Sequence, residues 1–134
     1  MIDILTGFPD DVVAFAAKGK VTRSDYADVV VPKVEETFAR HKKIRCYYEL
    51  GPEFSGMDPG AAWEDFKVGL GHISGWEKVA IVTDVDWIRG AVNVLRFMVP
   101  GQVRVFGVSQ ASEARTWITG GLDRRQPGIR WDRP

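Results

Sequence analysis

Three carboxylates stand where two predicted strands end, at positions that could support acid–base chemistry. Glu49 lies near the carboxyl end of the strand predicted at 44–50, while Asp84 and Asp86 follow the continuously apolar run 79–83. Ligands of open α/β sheets bind at this end of the strands, where two acids could exchange protons with a substrate or hold a divalent cation. The alternative is that Asp84 or Asp86 caps the next helix, and we favour it because no complementary catalytic group accompanies the acids.

The other residues with chemical potential do not assemble into a known motif. His41 and His72 lack the spacing of a metal-binding pair, and no nucleophile elbow or glycine-rich phosphate loop accompanies them. Cys46 is the single cysteine of the chain and alternates with apolar residues along a predicted strand, which is typical of a buried small hydrophobic residue. We therefore predict a non-enzymatic protein with no cofactor and no metal ion.

The segment 87–106, WIRGAVNVLRFMVPGQVRVF, has the most unusual pattern in the chain. It begins as a predicted helix in which only Arg89, Asn93 and Arg96 interrupt the apolar positions. Spacings of four and three place those three side chains on one narrow stripe of the helix. The rest of the helix surface must be covered by the sheet, a partner subunit, an apolar ligand or a membrane.

An apolar surface of this breadth could meet a membrane interface or an apolar ligand. At a membrane, Arg89 and Arg96 would lie at lipid phosphates, and over a ligand the helix would swing as a lid. The alternative is packing against the sheet and against a second helix or subunit, because wide apolar stripes are usually buried in protein. The candidate contact residues of this helix are Trp87, Ile88, Arg89, Leu95, Arg96, Phe97 and Met98.

A loop rich in glycine and proline, GPEFSGMDPG, is predicted at 51–60. It carries Phe54 and Met57, two further candidate contact residues, because apolar side chains in a loop need a partner. The loop could act as a mobile flap over a pocket beside the apolar helix. The alternative is a fixed loop in which Phe54 fills the edge of the core.

The composition favours one globular domain in a reducing compartment. The chain has 134 residues, 45% of them hydrophobic, and its 18 Lys and Arg balance 18 Asp and Glu, which argues against capture of nucleic acid. The single cysteine suits a reducing cytosol, and the N-terminus lacks the apolar stretch of a signal peptide. No apolar run approaches the ~20 residues of a membrane span. We predict a cytoplasmic protein that can lie on a membrane as a peripheral protein.

Apolar periodicity predicts alternating strands and helices after an initial hairpin. The hairpin joins a strand at 2–5 to an apolar run at 12–17, which is closed by the residues 18–20. A helix capped by Thr22 or Ser24 and kinked at Pro32 comes next. The later elements are a strand at 44–50, a helix at 61–73, a strand at 79–83, the apolar helix, a strand at 103–108 and a final helix.

This order of elements predicts an α/β fold. We expect a mixed, mostly parallel sheet of about five strands with an initial antiparallel hairpin, covered by about four helices. The domain is expected at 1–120, and the tail at 121–134 is expected to be loosely ordered.

Several short motifs resemble the SpoIIAA-like, or STAS-like, family of small bacterial proteins. They are Asp25-Tyr26 with Val31-Pro32, the run Ala62-Trp63-Glu64-Asp65, Val82-Thr83-Asp84 with Trp87, Pro100-Gly101 with 103–106, and Ala114 with Trp117. The resemblance covers residues 1–120. It implies the fold shared by the STAS domains of anti-sigma-factor antagonists and by CRAL-TRIO lipid-carrier domains. It also implies a module that binds a ligand or associates with a membrane and has no assigned catalytic chemistry.

One position departs from the pattern of the anti-sigma-factor antagonists. Those proteins carry a phosphorylatable serine in a compact Asp-Ser-Ser-Gly type of turn that opens a helix, whereas Ser55-Gly56 lies here in the longer predicted loop. Ser55 precedes the next predicted helix by several residues, away from the backbone amides that would recognise a phosphate. An ordinary loop serine is therefore the favoured interpretation, and a phosphoacceptor is the alternative.

The leading hypothesis is a binding module for an apolar or amphipathic small ligand, with reversible membrane association. Movement of the apolar helix and of the loop 51–60 would expose Trp87, Leu95, Phe97 and Met98. The alternative is a STAS-type regulator that acts on a protein partner and is switched at Ser55. A homodimer fits both hypotheses, because two broad apolar faces can cover each other.

Overall fold

The computed structural model describes residues 1–58, 73–98 and 101–120, and a five-stranded sheet organises them. Its strands lie across the sheet in chain order: β1 (Ile2–Ile4), β2 (Val12–Val21), β3 (Ile44–Met57), β4 (Trp76–Thr83) and β5 (Gln102–Phe106). β1 pairs with β2 in the antiparallel orientation, and each later pair of neighbours is parallel. The predicted mixed, mostly parallel sheet with an initial hairpin is confirmed.

Three helices pack on this sheet in the described part of the chain. α1 is continuous through an α-helical turn (Arg23–Asp25), a π-helical segment (Tyr26–Val30) and a longer α-helix (Val31–Arg40). The other two are α2 (Asp86–Leu95), continued by a 3₁₀ turn (Arg96–Met98), and α3 (Ala111–Ile118), preceded by a 3₁₀ turn (Val108–Gln110). A further predicted helix, at 61–73, lies outside the described residues except for Ile73, and the predicted tail at 121–134 lies wholly outside them.

The start of α1 follows directly from its sequence. The Thr22 hydroxyl accepts a hydrogen bond from the Asp25 N–H at 3.3 Å, and the Thr22 N–H donates to Asp25 Oδ2 at 2.7 Å, which is a reciprocal capping box. The distortion predicted at Pro32 takes the form of the π-helical segment just before it, where the Val31 N–H bonds to the Tyr26 carbonyl. Because a proline nitrogen cannot donate, the helix widens where its regular bonding is interrupted.

The sheet is buried on both faces because helices cover each of them. Ile44, Tyr48 and Leu50 of β3 belong to a first core that also holds buried side chains of α1 and of α2. Tyr47 points to the opposite face and joins a second core, formed with α3. The connections between parallel strands are right-handed crossovers. When successive crossovers advance in the same direction across the sheet, their helices lie on the same face, which explains why α1 and α2 share the first core.

β2 and β3 both run further than the sequence indicates. The residues 18–20, expected to close the hairpin, continue β2 to Val21, and the loop predicted at 51–60 is wrong for Gly51 through Met57, which extend β3. After a break in register, Gly19 pairs with Phe54 and Val21 with Met57. Gly51 and Pro52 lie at this break rather than in a free loop, because a residue without an N–H is tolerated where ladder bonds are absent.

At Gly101, just before β5, the backbone lies very close to the backbone of β4. A Cβ at this position would overlap the backbone carbonyl oxygens of Trp76 and Glu77, and backbone atoms cannot move aside as a flexible side chain can. We expect Gly101→Ala to lower the free energy of unfolding by about 1–3 kcal/mol, the usual cost of overpacking. Chemical denaturation of the purified protein measures this change.

Gly90→Ala is the matched control, because a Cβ at Gly90 would have no atom within 4 Å. Since Gly90 lies inside α2, alanine there should raise the free energy of unfolding by about 0.5–1 kcal/mol through its better helix propensity. Equal effects of the two substitutions would contradict the packing described at Gly101.

Candidate functional site

The apolar helix predicted from the sequence corresponds to α2, which begins at the carboxyl edge of the sheet. The fully buried Thr83 ends β4, and its hydroxyl accepts a hydrogen bond from the Val85 N–H at 3.1 Å. The guanidinium of Arg89 turns back and donates to the Thr83 carbonyl at 2.8 Å. Arg89 therefore fixes the first turn of α2 to the end of β4 instead of pointing outward.

The inner side of α2 faces the first core. Ile88 is buried, and Val92 packs against the same cluster. Phe54 and Met57 from the extended part of β3 pack there as well. The structure thus places three of the predicted contact residues, Ile88, Phe54 and Met57, in or against the first core rather than on an open surface.

The outer side of α2 is an exposed apolar ridge. Trp87 is 57% exposed, Val94 is 68% exposed and Phe97 is 87% exposed. Spacings of three and four align these side chains with Gly90 and Ala91, which are also exposed. We use the name apolar ridge for Trp87, Gly90, Ala91, Val94 and Phe97. Exposed large side chains in one continuous row mark an interaction surface more often than a scattered apolar residue does.

Among the described residues of α2 and the turn that follows it, few charges border the apolar ridge. Asp86 and Arg96 are exposed at the two ends of the helix, and the Arg96 guanidinium lies 3.4 Å from the side-chain oxygen of Asn93. The ridge itself carries no charged side chain. The side chains of Leu95 and Met98, also predicted as contacts, lie outside the described part of the structure.

The three predicted carboxylates have separate roles. Glu49 accepts a hydrogen bond from the Tyr47 hydroxyl at 2.8 Å, and Asp84 accepts one from the Val108 N–H at 3.1 Å. Asp86 lies in the first turn of α2, where a negative charge offsets the helix dipole. The prediction that Asp84 or Asp86 caps α2 is wrong, because the N-cap is Val85 and no side chain caps the helix; the Asp84 carboxylate binds the turn that leads into α3 instead. Among the described residues, no three acids, histidines or cysteines group so that they could hold a metal ion.

Tyr47 and Glu49 form a polar pair that the sequence analysis missed. Tyr47 is fully buried, and burial together with its hydrogen bond to Glu49 raises the pKa of the Tyr47 hydroxyl to about 12. The guanidinium of Arg115 lies 5.4 Å from the Tyr47 ring centre and opposes this shift. The alternation of residues two apart on a strand could have revealed the pair, since both side chains must point to the same face.

The remaining candidates have ordinary structural positions. Ser55 is exposed on β3 rather than at the start of a helix. Cys46 is buried in the first core, as predicted from its alternation with apolar residues. His41 ends α1, as predicted, and its Nε2 lies 2.9 Å from Asp10 Oδ2. None of these three residues adds a group to the apolar ridge.

The strand order and the placement of the described helices define a small α/β domain of the STAS type. The chain belongs to the SpoIIAA-like family, whose model matches residues 12–119. Similarity extends to a crystal structure of an uncharacterized protein from the DUF3478 family with a SpoIIAA-like fold, from Shewanella loihica PV-4. That structure is 29% identical, superposes with a TM-score of 0.68, and the match covers 87% of this chain and 93% of that one. The family resemblance inferred from the sequence motifs is confirmed.

The comparisons leave the activity open. The search of curated proteins gives no match. Among the described residues, no helix is long and apolar enough to cross a membrane.

The Tyr47–Glu49 pair makes the free energy of unfolding depend on pH in the alkaline range. Because the pKa of Tyr47 is about 12 in the folded protein and about 10 in an unfolded chain, its contribution is complete below pH 10. That contribution is lost as the pH rises from about 10 through about 12. We expect the free energy of unfolding to fall over this range more steeply in the wild-type protein than in Tyr47→Phe.

Tyrosinate absorbance and chemical denaturation at several pH values measure the effect of this pair. Tyr47→Phe should remove the transition near pH 12 and cost about 0.5–1.5 kcal/mol at neutral pH, the net value of one hydrogen bond. Identical pH dependence in the two proteins would contradict the assignment.

Proposed function

We propose that the protein is a non-enzymatic binding module that associates reversibly with membrane surfaces through its apolar ridge. The observation that carries this proposal is the exposure of Trp87, Val94 and Phe97 along one side of a helix whose other side is firmly packed. A helix that presents a row of exposed apolar side chains can lie at the bilayer interface with those side chains inserted. A bilayer interface is the amphipathic ligand that such a ridge fits best.

The packing of α2 favours contact without movement of the helix. The sequence suggested that the helix and the segment 51–60 must open, but Trp87 and Phe97 already point outward. Phe54 and Met57 pack against the first core, and Arg89 fixes the first turn of the helix to Thr83. Opening would break these contacts, whereas docking of the intact ridge would cost none of them.

The expected affinity is low enough for reversible attachment. Full burial of one large apolar side chain contributes about 1.5–3 kcal/mol, and three such side chains at an interface are only partly buried. A basic residue near an anionic surface adds about 1 kcal/mol, and Arg96 is the exposed arginine of α2. Binding should therefore depend on the apolar side chains and only weakly on anionic lipid or salt.

Vesicle flotation of wild-type protein and the Phe97→Ser variant tests the proposal. We expect wild-type protein to float with phosphatidylcholine vesicles and with vesicles that also contain phosphatidylserine. Phe97→Ser should weaken partitioning by roughly tenfold or more, the loss of about one buried aromatic side chain. Because Phe97 is exposed, the substitution should change the free energy of unfolding by less than about 0.5 kcal/mol.

Asn93→Ser is the matched control, since Asn93 is exposed on the same helix but outside the ridge. It should float like the wild-type protein. Wild-type protein that stays at the bottom of the gradient with both vesicle types would overturn the membrane proposal.

Family membership favours a second candidate, a STAS-type regulator that binds a protein. In that case the apolar ridge would be an interface with a partner or with a second copy of the chain, and the exposed Ser55 hydroxyl could accept a phosphoryl group. The molecular mass in solution separates the two candidates. A dimer that Phe97→Ser splits, together with no flotation, would favour the protein interface.

A further inference from the structure

A concave site lies at the carboxyl edge of the sheet, on the face opposite the apolar ridge. The break in register between β2 and β3 creates it: Ala17 pairs with Leu50 and Gly19 with Phe54, so Lys18 faces the three residues 51–53. This bulge borders a depression of about 390 Å³. Bulges of this kind commonly lie beside functional sites because they redirect side chains out of the ladder. The lining residues are Ala16, Ala17, Lys18, Glu49, Gly51, Pro52 and Glu53.

The depression contains a carboxylate that is held in place. The buried Tyr47 hydroxyl donates to Glu49 Oε1 at 2.8 Å, which ties this oxygen to the strand. The other oxygen, Oε2, lies over Gly51, where a Cβ would be 3.7 Å from it. One oxygen is thus occupied by the protein, and the other faces the concave surface.

The charges around the depression favour a cation. Lys18 Nζ lies 3.2 Å from Asp3 Oδ2 and 3.7 Å from Glu53 Oε1, so two carboxylates already share this ammonium group. Glu49 adds a third carboxylate to the same neighbourhood, so three carboxylates outnumber the two nearby cationic groups, Lys18 and the Arg115 guanidinium beside Tyr47. The small side chains of Ala16 and Ala17 and the ring of Pro52 supply an apolar wall beside these charges.

We propose that this depression binds the ammonium group of a small aliphatic amine, with Glu49 Oε2 as the acceptor and the apolar wall against the alkyl chain. An ammonium group fits better than a metal ion, because in the described part of the chain no three potential ligands converge here. A small concave site with one fixed charged group and apolar walls is the usual form of a small-molecule site.

A chemical-shift titration with n-butylammonium chloride tests the proposal, and n-butanol serves as the uncharged probe of similar shape. We expect saturable shifts of the backbone amides of Ala16, Ala17 and Gly51 with the amine and much smaller shifts with the alcohol. Glu49→Gln should weaken binding of the amine by about tenfold or more, because one charge-assisted hydrogen bond is lost. Glutamine can still accept the Tyr47 hydrogen bond, so this variant should fold.

Glu113→Gln is the matched control, because Glu113 is an exposed carboxylate of α3 outside the depression. It should bind n-butylammonium like the wild-type protein. Phe97→Ser should also bind the amine normally, since the apolar ridge lies on the other face of the sheet, and this separates the two proposals. No saturable shift, equal shifts with n-butanol, or unchanged affinity in Glu49→Gln would overturn the amine site.

Discussion

Parallel pairing around β3 is the constraint on which the rest of the structure depends. This strand is paired on both sides and buried on both faces, so each face needs its own layer of helices. Since parallel neighbours require crossover connections of one hand, α1 and α2 must cover the same face. α2 therefore packs against the sheet with one side, through Ile88 and Val92, and its opposite side has no sheet to face. The apolar ridge is a consequence of this arrangement combined with a helix that is apolar almost all round.

The same constraint separates the two candidate sites. Alternation along β3 sends Tyr48 to the first core and Tyr47 with Glu49 to the face of α3. The apolar ridge and the depression that contains Glu49 thus lie on opposite faces of one sheet, and a substitution can alter one without changing the other. The domain combines an apolar surface suited to an interface with a small polar site, and neither contains an assembled set of catalytic groups in the described residues.

The hairpin, the alternation of strands and helices along the chain and the apolar helix were predictable because each has a local pattern. Two short apolar runs around a turn indicate β1 and β2, and the continuous run 79–83 indicates a doubly buried strand. The extension of β3 was not predictable, because Gly51 and Pro52 signal a loop locally and only pairing with Gly19 through Val21 overrides that signal. The role of Asp84 was hidden for the same reason, since its partner Val108 is 24 residues away. The outward direction of Trp87 and Phe97 depends on the sheet position of α2, which periodicity does not specify.

The depth of the ridge in a bilayer is the most direct test of the membrane proposal. A nitroxide spin label at Val94→Cys reports that depth through its accessibility to oxygen and to a water-soluble nickel chelate, with Ser112→Cys on α3 as the reference site. Cys46 is buried and should not react with the label in the folded protein. With phosphatidylcholine vesicles, we predict more oxygen and less nickel contact at Val94→Cys, and no change at Ser112→Cys. Unchanged accessibility at both sites would contradict the role of the apolar ridge in membrane binding.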